Sequence, residues 1–513
     1  MLSSLALLAL ALPGGGWTPL EAPVLCAPET APAEPLRLAD GVHVLLRQRG
    51  GDVERPVPAP RMPLSLVMQM LEEDARAKGG ALEFFRSSPA LLARGDDKAL
   101  QDARALLADL GAQAGALEIE LTCELAPVGS AATSTRVRVH SGGEAFFGSR
   151  RAATFVSGFD VEVAADSGVA QPVLGTTLTG PGVHVRAARV AGGKRVWIQG
   201  LLDLSEAGEL VRFDPDTRDL GRIDQPTVNA VQVAFSGVVE SGGRLEVQIA
   251  RSGLTSPDWK LVLGATTRPD SAPSAAGGTG WTLLDLAFLA SEPWSLQPAS
   301  PGGHLAREAS FAAPAPAPMS MPPSALAARL EETRANDRGP RAPLYWTNEL
   351  LFLPRAEPRL AADARALIET LEAARLATGR VELAHGGFTV SFPVCDGVPA
   401  RVLATRERPY LTGYRSELAP QTWMPAPEPE LVVDGLGLDL APFGGALAAR
   451  AWKAASGAPE VVTKEDAQLG KLQLLRRDLW TDAARIARDE RGRTLLAPEP
   501  AGPGVVSIGF AQP

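Results

Sequence analysis

Histidine, cysteine, tyrosine and dense charge are what this chain has least of, and each shortage closes off a class of function. Five histidines, His43, His140, His184, His304 and His385, stand singly in 513 residues. None falls in the H-x-x-x-H or H-E-x-x-H spacing that sets two imidazoles on one helix face. They read as solvated surface positions, and no metal-binding residue is expected. The three cysteines, Cys26, Cys123 and Cys395, lie too far apart for a C-x-x-C pair, and one is left over if two join. The sequence does not set the state of Cys123 and Cys395. No Lys/Arg run is dense enough to track a phosphate backbone, and 50 basic against 59 acidic residues leave a formal charge of -9. Nucleic acid is therefore not expected as a partner. Three tyrosines and 5% aromatics offer no carbohydrate platform.

Catalytic signatures are missing too. There is no G-x-S-x-G elbow, no phosphate loop ending in Gly-Lys-Ser/Thr and no G-x-G-x-x-G after a strand. Ser141-Gly142-Gly143 and Ser241-Gly242-Gly243 lie between alternating runs and read as turns. Glu72-Glu73 and Asp96-Asp97 sit at helix starts or on exposed faces, where negative charge is ordinary. No catalytic, cofactor-binding or metal-binding residue is assigned, no cofactor is expected, and the chain reads as not an enzyme. No apolar run reaches the 18 residues or so of a membrane helix. The opening MLSSLALLALALPGGG is shorter than that and suits the core of a signal peptide over 1–20, although no Lys or Arg precedes it. Export to the periplasm or outer membrane is expected. Cys26 lies too far beyond the run to read as a lipid acceptor.

What the chain does contain is a repeat. GFDVEVA at 158–164 returns as GYRSELA at 413–419, 255 residues on. At that spacing Phe155 meets Tyr410, Glu162 meets Glu417, Pro172 meets Pro427 and Gly180 meets Gly435. Upstream the spacing is 261: DARALL from Asp102 answers DARALI from Asp363, and Phe84-Phe85 fall on Tyr345-Trp346. Downstream, LGRI from Leu220 answers LGKL from Leu469. Drifting offsets with preserved order are what loop insertions produce in a tandem duplication. The aromatic pairs read as core residues. Glu162 and Glu417 read as outward strand residues rather than ligands.

The division that follows is a Pro-rich segment at 21–61, a small α+β module at 62–126 and a β-domain at 127–265. A Pro/Ala/Gly-rich linker spans 266–320, a second small module 321–386 and a degenerate β-domain 387–513. Linker composition stays extended, but WTLLDLAFLASEPW inside it is apolar and is expected to dock on a neighbour. PLSLVMQMLEEDARA and DKALQDARALLADLGAQ carry helical stripes, and ALEIELTCEL alternates as a strand. TRVRVH, VHVRAARV, RVWIQGLLDL, TVNAVQVAFSGVV and RLEVQIA read as antiparallel strands with one wet face. The stretch LGKLQLLRRDLWTDAARIARDERGR loses alternation and drifts toward helix. The fold class is α+β and rich in antiparallel sheet: two copies, each a helix-strand module followed by β-hairpins.

FVSGFDVEVAADSGVAQPVLGTTLTGPGVHVRAARVAGGKRVWIQGLLDL resembles the C-terminal β-domain of the bacterial secretin family, which forms outer-membrane rings of type II secretion and related machines. An aromatic leads an acidic strand from Phe159 to Ala164, and an apolar-Pro-apolar-Gly turn spans Val169 to Gly175. A glycine-led strand runs from Gly182 to Val190, and a Gly-Lys-Arg turn enters the apolar strand ending at Leu202. IDQPTVNAVQVAFSGVVESGGRLEVQI is similar to the family's late hairpin. The resemblance implies a degenerate tandem secretin acting in protein secretion by self-assembly or docking. Its partners would be copies of itself or other secretion-system proteins, and membrane association without a transmembrane helix stays open. The alternative is a monomeric periplasmic module that binds a peptide or cell-wall partner without forming a pore.

Overall fold

The computed structural model describes residues 17–27, 43–46, 60–87, 90–164, 167–213, 221–250, 258–268, 280–291, 294, 321–334, 341–385, 388–419 and 422–443. Beyond these it describes the backbones of the strands after 445. The first sixteen residues, where a signal peptide is expected, lie outside that set, as does His304. The chain opens with β1 (Thr18–Leu20), a 3₁₀ turn at Val24–Cys26 and the short β2 (Val44–Leu45). Helix α1 (Leu64–Ala77), β3 (Leu82–Ser87), β4 (Ala90–Gly95) and α2 (Asp97–Ala116) follow. Pro63 presets the entry to α1, whose Leu64, Val67, Met70 and Leu71 are buried at helical spacing. Asp96 caps α2 by accepting the Ala99 N–H at 2.7 Å. The three strands order as β1-β4-β3, with Leu20 opposite Leu91 and Phe84 opposite Ala93, all turned toward the two helices.

Nine strands come next: β5 (Glu118–Pro127), β6 (Ser134–His140), β7 (Glu144–Gly148), β8 (Arg151–Val163), β9 (Gly168–Val190), β10 (Arg195–Phe213), β11 (Ile223–Glu240), β12 (Arg244–Ala250) and β13 (Trp259–Thr267). The turn between β9 and β10 takes Ala191, Gly192 and Gly193 through φ of 51°, 62° and 79°, and Gly242 between β11 and β12 stands at 85°. That is left-handed backbone, where glycine loses nothing, so the two Gly-Gly pairs are turns as their sequence suggests.

The second half repeats the order. It comprises β14 (Trp281–Asp285), α3 (Ala287–Ala290), α4 (Pro323–Arg334), β15 (Tyr345–Trp346), β16 (Leu350–Pro354) and α5 (Pro358–Arg375). After them come β17 (Thr378–His385), β18 (Phe388–Cys395), β19 (Ala400–Ala419), β20 (Thr422–Phe443), β21 (Ala446–Ser456) and β22 (Glu460–Asp466). The last four are β23 (Gly470–Arg476), β24 (Leu479–Arg488), β25 (Thr494–Pro498) and β26 (Val506–Ala511). The small sheet again places the early strand beside the hairpin's second strand, β14-β16-β15, with Leu284 opposite Leu351. β13 returns to β5 in the first half, and β26 returns to β17 in the second. WTLLD at 281–285 thus supplies a strand, and the related WTPL at 17–20, missed in the sequence comparison, supplies its counterpart β1.

Pairing runs without a break along β8-β9-β10-β11-β19-β20-β21-β24-β25-β26-β17-β18-β12-β13-β5-β6, antiparallel throughout. The two halves therefore share one ladder, joined where β11 meets β19 and β12 meets β18. Three expectations change. The stretch from Leu469 expected to drift toward helix forms β23 and β24; β22 pairs with the first, and β21 and β25 flank the second, so ladder bonds override local propensity. Phe85 and Trp346 are not core residues: they are 43% and 47% exposed, because each points away from the helix-facing side of its hairpin. Nor is one face of the long strands wet. Val196, Ile198, Leu202 and Leu204 of β10 enter the main core, yet Trp197, Gln199, Leu201, Asp203 and Ser205 on the opposite side are also buried.

Candidate functional site

That second face of β10 is clad by pieces of the same chain. At one end Trp197 packs on Phe288 of α3, with ring centroids 5.5 Å apart, inside a core shared with α4 and α5. Next, Gln199 accepts the backbone N–H of Trp294 at 3.3 Å, and the Trp294 side chain covers Leu201 and Ala234. The indole stacks on His184 at 4.8 Å and donates to Glu144 Oε1 at 3.2 Å. Burial pushes Glu144 up, but hydrogen bonds and charge from His184 and Arg186 outweigh it and hold the carboxyl at about 2. The linker segment expected to dock therefore does so.

Further along, Asp203 and Ser205 lie under residues 43–46. β2 pairs with Thr176 and Thr177 of β9, just past Gly180, where β10 has parted from β9. Gly180 has φ 121°, and a Cβ there would collide with the Ser149 carbonyl. Gly435 repeats this at φ 135° against the Ala404 carbonyl, where β20 and β21 part. Only glycine tolerates such backbone, and the split it makes beside β9 is the slot that β2 fills.

At the centre is His43, 3% exposed, against the expectation of a solvated histidine. Its Nε2 meets Asp203 Oδ2 at 2.7 Å and its Nδ1 meets Glu407 Oε1 at 2.8 Å, and both carboxylates are fully buried. The N–H groups of His43 and Val44 donate to Glu407 Oε2 at 2.8 and 2.9 Å. Gln232 donates to Asp203 at 2.8 Å, while Arg150 pairs with it at 3.0 Å and donates to Ser205 Oγ at 2.7 Å. Burial works to lower the His43 pKa, but the charges and hydrogen bonds of Asp203 and Glu407 prevail and raise it from 6.5 to about 10. Asp203 is pushed up by burial and brought down further by His43 and Arg150, to about 2. Two anions and two cations balance. Asp203 belongs to the first half and Glu407 to the second, so the cluster straddles their seam.

Chemically the cluster is a clasp. Both imidazole nitrogens are engaged by carboxylates, which leaves no lone pair for a metal. Among the described residues no group of three or more His, Cys, Asp or Glu is arranged to hold one. Two open grooves of about 510 and 530 Å³ flank the seam. The first is lined by Arg244, Glu246 and Arg380, the second by Lys194, Arg195, Glu240, Glu369 and Glu372, with no histidine, serine or cysteine in either lining. Cys26, Cys123 and Cys395 are all free thiols. Glu162 is exposed, as an outward strand residue should be, and the Glu417 side chain lies outside the described set. No helix among the described residues is long and apolar enough to cross a membrane, which says nothing of strands.

A second junction joins the two small modules. α1 and α2 lie between their own sheet and β14-β16, because Trp281, Leu283, Leu350 and Phe352 enter the same core as Val67, Leu106 and Leu110. Gln113 of α2 reads the free edge of β14, accepting the Leu283 N–H at 2.8 Å and donating to the Trp281 carbonyl at 3.1 Å. Arg355 grips both oxygens of Asp109 at 2.7 Å. The layers thus run sheet, helices, sheet, helices, all in one sense.

Sequence reading missed every pairing of the clasp, and at this junction it anticipated the apolar stripe of α2 and the docking of the segment from Trp281 but not the contacts of Gln113, Asp109 and Arg355. One signal was present: Gly41-Val42-His43-Val44 returns as Gly302-Gly303-His304-Leu305 at the same 261-residue spacing as DARALL and DARALI. A histidine that recurs at that spacing is a poor candidate for a stray surface residue.

A scan against protein-family models finds no match, and a search of curated proteins finds none. Among solved structures, the secretin-domain β-barrel of InvG from the Salmonella SPI-1 injectisome aligns at 10% identity and TM-score 0.21, over 45% of this chain and 89% of that one. InvG in a near-atomic cryo-EM structure of the type III secretion injectisome secretin aligns at 10% and 0.22, over 45% and 88%. An atomic model of the basal-body proteins InvG, PrgH and PrgK aligns at 10% and 0.22, over 45% and 62%. Likeness at that level assigns neither fold nor function.

Proposed function

We propose that the chain is a non-enzymatic, secretin-like structural component of a type II or related secretion or outer-membrane assembly. It is exported, built from a tandem duplication, and acts by associating with further copies of itself. The sequence phrases between Phe155 and Leu204 support the secretin reading. The same element order, the same return strands and the paired glycines Gly180 and Gly435 support the duplication.

The observation that carries the assembly reading is the one-way stack of modules. Leu106 and Leu110 of α2 are 6% and 0% exposed because β14-β16 covers them. Their counterparts 261 residues on, Leu367 and Leu371 of α5, are only partly buried, and Thr370 and Ala374 beside them are exposed. At the other end, the outer face of β1-β4-β3 shows Phe85, with Trp17 edge-on at 6.2 Å, and exposed Pro19. Among the described residues, a half-exposed helix face at Leu367 and Leu371 and an exposed aromatic sheet face at Phe85 correspond to the two halves of the junction already formed inside the chain. Repeating it between chains gives a heterologous interface, which grows into a ring or a filament. Sedimentation of the full chain tests this: mass should rise with concentration, and Phe85→Glu or Leu367→Glu should each abolish the rise while leaving circular dichroism unchanged. A single monomer mass at every concentration would refute the reading.

A further inference from the structure

The clasp has a consequence for how the two halves are held together. Glu407 accepts hydrogen bonds from His43 N, His43 Nδ1 and Val44 N, and among the described residues these are its hydrogen-bond donors. It stands opposite Val228 in the β11–β19 ladder, inside the seam. Residues 43–46 are also held through the His43 carbonyl, which accepts the Leu178 N–H at 3.0 Å, and through the Leu46 carbonyl, which accepts from Ser157 Oγ. Val44 and Leu46 pack among Phe155 and Val228 of the first half and Leu431 of the second. Withdrawal of this segment would leave Asp203 and Glu407 buried with Arg150 as the remaining cation of the cluster among the described residues. A buried carboxylate stripped of its donors and counter-charge is strongly destabilised. The β11–β19 junction would then have to open to water.

We propose that residues 43–46 are a releasable strap that locks the seam between the two halves, with the proton on His43 as its catch. Seated, the strap neutralises Asp203 and Glu407 and keeps β11 on β19. Lifted, it exposes two acids, a strand edge at Thr176–Thr177 and the seam itself. Among the described residues, the charged groups of the cluster around His43 are Asp203 from β10, Glu407 from β19 and Arg150 between β7 and β8. β11 contributes Gln232, β9 its Thr176–Leu178 backbone and β8 Ser157, none of which carries charge. Loss of the imidazolium proton is therefore the ionisation that unbalances the cluster in alkali.

Hydrogen exchange on the full chain tests this, read at 43–46, at 228–234 and at 401–407 and normalised to intrinsic rates. His43→Leu should raise exchange at both seam strands about ten-fold or more while α1 and α2 stay as protected as before. Glu407→Gln, a smaller change, should do the same to a lesser degree and serves if His43→Leu fails to fold. In the unaltered chain seam exchange should climb between about pH 7 and about pH 10.5, and His43→Leu should lack that climb. Val44→Cys with Thr177→Cys, oxidised, pins the strap across its ladder pair and should keep the seam closed in alkali. Unchanged protection at 228–234 and 401–407 once the strap is loosened would overturn the proposal. So would a seam that opens while the strap is pinned.

Discussion

Asp203 and Glu407 are fully buried carboxylates made tolerable by the imidazole between them, with Arg150 and Gln232 also on Asp203. The linkage has a definite sign. His43 is raised from 6.5 to about 10, so its contribution to stability is complete below 6.5 and is lost as pH rises through 10. Asp203 is lowered from 3.8 to about 2, so its contribution is present above 3.8 and is lost as pH falls through 2. Stability against urea should therefore decline on the alkaline side of neutrality, and that slope should vanish in His43→Leu. Replacing one partner, as in Glu407→Ala, should cost about 3–5 kcal/mol, the usual result of breaking a buried pair from one side. Gly180→Ala and Gly435→Ala should each cost about 1–3 kcal/mol by thermal or chemical unfolding, because both demand positive φ and both crowd a carbonyl. The glycines were legible in the sequence as repeated positions. His43 recurs too, at His304, but its burial was not legible, because partners 160 and 364 residues away leave no local trace.

Among elements, the helices of the modules and the turn-linked strands of the first half could be read directly, since stripes, alternation and Gly-Gly turns are local patterns. β24 could not. Its residues DAARIAR favour helix, and only flanking strands make it a strand. The aromatic hairpins were half legible: Phe84 is half-buried and packs on the module core, while its neighbour Phe85, one step along the pleat, faces out. The junction between modules depends on Gln113, whose amide makes two hydrogen bonds to the edge of β14. Gln113→Ala should lower unfolding stability by about 1–3 kcal/mol and increase hydrogen exchange in β14 more than in β3 or β4.

For the molecule as a whole, the second face of the long strands is the feature no sequence pattern announced. Alternation correctly separated the two faces of β10. What covers the outer one is a helical module, the apolar linker segment that ends in a tryptophan, and a strap from the N-terminal Pro-rich segment, and only the strap comes from a stretch whose composition reads as solvated. Among the described residues, the ends of the module stack keep Phe85 and Thr370 exposed. In the proposed assembly these ends pair on successive chains. Paired cysteines test it most directly: Phe85→Cys on the first sheet with Thr370→Cys on α5, in a Cys26→Ser background, under mild oxidation. A ladder of covalent dimers, trimers and larger species that needs both cysteines is the predicted result. Products that stop at a dimer formed by Phe85→Cys alone, or no products at all, would contradict it.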